Sequence, residues 1–91
     1  MIEPQQLDEL MRALSHNERR AFIVACRGQA RSAGELAALS SLSPAAISEH
    51  LKVLRKTGLL VLEKRGRSWL YQTDTAAVAA VVQAMQALVA P

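Results

Sequence analysis

Ninety-one residues carry eleven Lys and Arg against eight Asp and Glu, a net charge of +3, with 51% apolar residues but one Phe, one Trp and one Tyr. So short a chain reads as one domain, 1–91, whose modest core self-association would help; its Ala, Leu and Val surplus suits helix-on-helix contact. The lone Cys26 excludes an intrachain disulfide, and with no basic-then-apolar leader at the start it points to a reducing cytoplasm.

Pro4 suits a first helical turn, and Leu7, Leu10, Met11 and Leu14 then recur at helical spacing, so residues 4–14 read as an amphipathic helix. Ser15-His16-Asn17-Glu18 fits a capping box opening a second helix, with Phe22, Ile23 and Cys26 inward and Gly28 as its stop. Ser32-Ala33-Gly34-Glu35 repeats the capping pattern before a short helix with Leu36 and Leu39 that runs out near Ser40. Ser43 caps the next helix, Pro44 takes its first position, where a missing N–H costs nothing, and Gly58 ends it. Residues 59–63 and 68–73 flank a Gly-containing basic tip and read as a β-hairpin. The uncharged tail from Thr75 to Pro91 is shorter than the about 20 strongly apolar residues of a membrane span, and Gln83 and Gln86 interrupt it. Its Val78, Val81, Val82, Met85, Leu88 and Val89 form a 3-4 stripe on a last helix. The fold class is mainly α (α+β): four helices, a hairpin and a helix.

The charge is unevenly spread. Lys52, Arg55, Lys56, Lys64, Arg65 and Arg67 meet only Glu49 and Glu63 between residues 44 and 67, a local balance of +4 that leaves the remainder at −1. One basic patch on a near-neutral body is the footprint of a polyanion binder. On a helical wheel Ile47, Leu51 and Leu54 face inward, while Ala45, Ser48, Glu49, Lys52 and Lys56 face away. In a major groove, Ala45 and Ala46 would allow close approach and touch thymine methyl groups, and Ser48 would donate or accept. Glu49 would accept from a cytosine amino group; phosphates repel it, which favours a simple pair with Lys52 three residues on. Lys52, Arg55 and Lys56 form a single-sign surface for phosphates. His50 borders the buried stripe and reads equally as a core-edge residue or a DNA contact. At the hairpin tip Arg65 and Arg67 flank Gly66, an arrangement that reads a narrow minor groove or blunts a hairpin edge. Trp69 and Tyr71, on one face of the returning strand, read as packing residues.

Leu14-Ser15 with Arg19-Arg20, Gly34-Glu35-Leu36-Ala37, Ile47-Ser48-Glu49-His50-Leu51 with Leu54-Arg55, Gly58-Leu59-Leu60, Gly66-Arg67 and Tyr71 together resemble the ArsR/SmtB family of winged helix-turn-helix repressors. The resemblance spans nearly the whole chain. It implies a helix-turn-helix over about 32–57, a reading helix over 44–57 whose cap Ser43 and first residue Pro44 join the DNA surface, and a wing over about 59–73. It also implies a homodimer joined by segments 4–14 and 75–90, and so by Leu7, Leu10, Met11, Leu14, Val78, Val81, Val82, Met85, Leu88 and Val89. Repression at a double-stranded inverted repeat, relieved by an inducer, would follow.

The departures concern that inducer. Metal-sensing members carry cysteines before and within the third helix, where this chain has Ser32, Gly34 and Ala37, or Asp, His and Glu on the last helix, where it has none. A soft-metal or zinc site needs roughly three or four converging ligands, and Cys26, His16 and His50 are scattered, so neither metal nor cofactor is expected and the inducer stays unassigned. Cys26 reads as a small core residue, with an intermolecular bond or sulfenic acid as its alternative. The rival to a repressor is a winged-helix module offering the same basic face to a protein or RNA. An enzyme is disfavoured, since no His or Cys has a carboxylate placed for acid–base work and no Gly-rich phosphate loop exists.

Overall fold

A computed structural model of the chain describes residues 2–91; Met1, the first residue of the expected domain, lies outside them. The elements run α1 (Pro4–Ala13), α2 (Asn17–Cys26), β1 (Arg31–Ser32), α3 (Ala33–Ala38), α4 (Pro44–Lys56), β2 (Leu60–Arg65), β3 (Ser68–Thr73) and α5 (Thr75–Gln86). The described residues therefore form five helices and a three-stranded antiparallel sheet of order β1-β3-β2.

Helix ends follow their side-chain chemistry, with two corrections. Ser15 does not cap α2: its Oγ donates to the Arg12 carbonyl at 2.6 Å, because Ser15 still belongs to the turn that closes α1. His16 holds the cap position without a side-chain bond. Gly28 is not a left-handed stop either, since only Gly58 and Gly66 have positive φ. The end of α2 is instead served by Arg31, whose Nε donates to the Ala25 carbonyl at 2.7 Å. Around α3 the capping box is complete: Ser32 Oγ accepts from the Glu35 N–H and Glu35 Oε1 accepts from the Ser32 N–H. Ser43 Oγ accepts from the Ala46 N–H at the start of α4, and Gly58 closes that helix at φ 80°.

The hairpin pairs Leu60 with Thr73 through to Arg65 with Ser68, leaving Gly66 and Arg67 as its two-residue tip. Its first strand runs to Arg65 rather than stopping at 63, because Lys64 and Arg65 pair through their backbones while their side chains stay in solvent. The third strand, β1, pairs Arg31 with Tyr71 and Ser32 with Leu70. Asp74 accepts from the Ala77 N–H and opens α5, which ends at Gln86 rather than 90, so Leu88 and Val89 lie beyond it.

Leu10, Ala13, Phe22, Ile23, Cys26, Leu36, Ile47, Leu51, Leu54, Leu59, Leu60 and Val81 form the core. Thr73 is buried among them, and its hydroxyl donates to the Ile23 carbonyl at 2.7 Å, tying β3 to α2. The stripes assigned to a dimer interface divide. Leu10 and Val81 are buried in the chain's own core where α1 meets α5, so they are withdrawn from that assignment, and Leu7, Leu14 and Val78 are half-buried against the same core. Met11, Val82, Met85, Leu88 and Val89 remain exposed.

Candidate nucleic-acid interface

The sharp division of α4 follows from its sequence. Ile47, Leu51 and Leu54 recur at three- and four-residue intervals and are buried, which anchors one face and aims the opposite one outward. Ala45, Ser48, Glu49, Lys52, Arg55 and Lys56 are all exposed, as are Ser43 and Pro44 at the helix start, while Ala46 is half-buried. The hydroxyl of Ser43 is engaged by the helix cap. Between α4 and the hairpin lies a cleft of about 530 Å³, lined by Ser48, Lys52, Arg55, Lys56 and Tyr71. Three cationic and two hydroxyl-bearing residues thus line one concavity.

His50 is half-buried. Arg19 Nε donates to its Nδ1 at 2.9 Å, and the His16 ring lies 5.6 Å away. Burial, then the Arg19 charge and then His16 hold its pKa below the ordinary imidazole value, against smaller opposing effects of Glu18 and Glu49. The neutral ring therefore accepts at Nδ1 and carries its proton on Nε2. Since Arg19 Nη1 also lies 3.5 Å from the Ala13 carbonyl, one guanidinium links the end of α1 to α4. His50 thus acts as a strut through Nδ1, which Arg19 engages.

The hairpin cations have different fates. Arg65, expected on the DNA surface, forms an ion pair with Glu63 and lies 3.4 Å from Gln72 Oε1. Arg67 is exposed at the tip and has neither hydrogen bond nor ion pair among the described residues. Lys64 places Nζ 5.8 Å from the centroid of Trp69. Tyr71 packs against the core as expected, but Trp69 is 55% exposed. Its distance from the hairpin base was the available signal: two residues from Arg67, it stands too near the tip to reach the core. The Arg19–His50 contact had no such signal, because 31 residues separate the partners.

Among the described residues no three His, Cys, Asp or Glu side chains converge as a metal site, and no helix is long and apolar enough to cross a membrane. Cys26 is fully enclosed; burial pushes its thiol up to about 11, against the pull of Arg31 and with a smaller push from Glu35.

Known proteins agree with this architecture. A helix-turn-helix domain model matches residues 14–63. The HTH-type transcriptional regulator YgaV of Escherichia coli K12 is 31% identical over 88 residues, which cover 96% of this chain and 89% of that protein. The ArsR-like transcriptional regulator of Rhodococcus sp. RHA1 superposes with a TM-score of 0.83 at 26% identity, covering 92% of this chain and 79% of the other. HlyU from Vibrio cholerae N16961 superposes at 0.73 with 25% identity, covering 93% and 96%. The chain belongs to the ArsR family of winged helix-turn-helix transcriptional regulators, a family of DNA-binding regulators rather than of catalysts.

Proposed function

We propose that this regulator is a homodimeric repressor that lays α4 of each subunit in successive major grooves of an inverted repeat, with residues 1–91 acting as one domain. The observation that carries the reading is the shared cleft: Lys52, Arg55 and Lys56 of α4 face it, and the hairpin closes its other side. Phosphate contacts by these cations supply affinity and orientation, while Ala45, Ala46 and Ser48 at the start of the helix meet base edges. Glu49 follows Ser48 on the same outward face; among the described residues it forms no ion pair with Lys52, which leaves its carboxylate to accept from a cytosine amino group. None of these side chains makes the bidentate Arg–guanine contact, so discrimination rests on close packing and DNA shape. The exposed apolar residues of α1 and α5 join the two copies. With no converging ligand set among the described residues, the inducer in this reading is not a metal, and stoichiometric zinc, cadmium or arsenite leaves DNA affinity unchanged.

Titration of the duplex upstream of the coding region against a scrambled duplex, at several salt concentrations, tests this. Lys52→Ala or Arg67→Ala weakens both duplexes, and the log K against log salt slope falls by about 0.9 for each phosphate no longer neutralised. Ala45→Gln or Ser48→Ala instead costs about 1–3 kcal/mol on the specific duplex alone. If both leave the specific-to-scrambled ratio untouched, α4 is not the reading helix, and a module binding protein or RNA through this face replaces the repressor.

A further inference from the structure

Along β2 and β3 the cross-strand pairs Leu60–Thr73, Leu62–Tyr71 and Lys64–Trp69 fall at alternate positions, so their six side chains share one face of the hairpin. The first pair is buried, the second half-buried and the third exposed. One face therefore emerges gradually from the core, and its middle residue, Tyr71, already lines the cleft opposite α4. Lys64 and Trp69 continue that face past the edge of the body. The reverse face carries Glu63 and Arg65 with Gln72, which engage one another.

The chain's single tryptophan thus stands next along the hairpin face from Tyr71, which lines the cationic cleft, and lies outside the apolar cluster with the Lys64 ammonium over its ring. The ammonium near the ring face holds both side chains at one spot. We propose that Lys64 and Trp69 form a clamp on the sugar–phosphate backbone of duplex DNA leaving the cleft: Lys64 Nζ pairs with a phosphate, while the indole packs on the adjoining deoxyribose and offers Nε1–H to a phosphate oxygen. The occupant is set by charge, since Lys52, Arg55 and Lys56 line the cleft, Lys64 lies on the hairpin face that carries Tyr71, and Glu63 lies on the reverse face. Arg65, held by Glu63 on that other side, takes no part. The clamp rests on the DNA-binding reading above.

A lone tryptophan lets the full-length chain report on its own contact. Binding is followed by the anisotropy of a labelled mixed-sequence duplex at low salt, and the clamp by Trp69 emission and its quenching by acrylamide. Saturating duplex shields Trp69 from acrylamide and alters its emission. Trp69→Ala weakens binding about five- to tenfold, the size expected for removing an apolar contact of this area, and leaves the salt slope unchanged. Trp69→Phe recovers part of the loss, and Lys64→Ala lowers the slope by about 0.9. Circular dichroism verifies that each variant retains the parent's helix content. If the duplex binds while acrylamide access is unaltered, or if Trp69→Ala binds like the parent, the clamp is wrong and the DNA reading stands. If anisotropy shows no binding of the parent, the DNA reading fails and the clamp falls with it.

Discussion

His50 belongs to α4, yet Arg19 and His16, which lie beside it, belong to the start of α2. The Arg19 guanidinium donates to its Nδ1, and His16, Glu18 and Glu49 complete the charged surroundings. Burial and Arg19 depress its pKa below 6.5, so the unfolded chain takes up this proton at a higher pH than the folded one. The folded state consequently gains stability that is fully present above pH 6.5 and is lost as pH falls through the lowered folded value. Urea midpoints should decline across that acid range in the parent and decline less in His50→Gln, whose amide oxygen still accepts from Arg19; equal declines would show that His50 is not the group responsible. Cys26 gives a second check on burial. With its thiol near 11, alkylation should be slow in the folded protein and fast in urea. Lys52, Ser48 and the buried leucines of α4 were legible from helical periodicity alone. The strut was not, because periodicity ranks the faces of a helix and says nothing about which distant side chain meets the border between them.

Among the elements, the legible ones carry their own punctuation. α3 and α4 begin where Ser32 and Ser43 accept from the third helical N–H, and α4 ends where Gly58 turns left-handed. Ser43→Ala should cost about 1 kcal/mol through removal of the cap. Gly58→Ala should cost about 1–2 kcal/mol although the added methyl meets nothing within 4 Å, since the strain lies in the left-handed backbone. Thermal or urea unfolding measures both, and a Gly58→Ala midpoint equal to the parent's would mean that the backbone relaxes out of that conformation. The illegible elements lacked such local cause. Two-residue β1 is too short for any alternation and exists because β3 offers it a free edge. Ser15 carried the right residue type for a cap but sat inside the preceding turn, and α5 stopped early because Ala, Leu and Val continue past Gln86 without packing to hold them as helix.

For the molecule as a whole, the two ends of the chain pose one problem. α1 and α5 pack together with Leu10 and Val81 buried, while Met11, Val82 and Met85 on these helices and Leu88 and Val89 beyond α5 are between 39% and 85% exposed. Beside them runs a groove of about 610 Å³ lined by Ile2, Gln6, Ala80, Gln83, Ala84 and Ala87. Helical spacing revealed this apolar material but could not divide it between the chain's own core and a partner, because one stripe serves both. The proposed dimer covers the exposed share, which is costly to leave in water on a chain of this size. The parent should therefore sediment as a dimer at micromolar concentration. Val82→Asp with Met85→Asp should yield a monomer, because burying unpaired carboxylates between subunits is unfavourable. Both positions are exposed in the single chain, so the variant should keep the parent's helical circular dichroism, whereas charge at Leu10 or Val81 would unfold it. Loss of the partner removes one of two reading helices: affinity for an inverted repeat should collapse toward that for scrambled duplex, while scrambled binding, set by the cations of one subunit, changes little. A folded double variant that still sediments as a dimer would place the interface elsewhere on the chain.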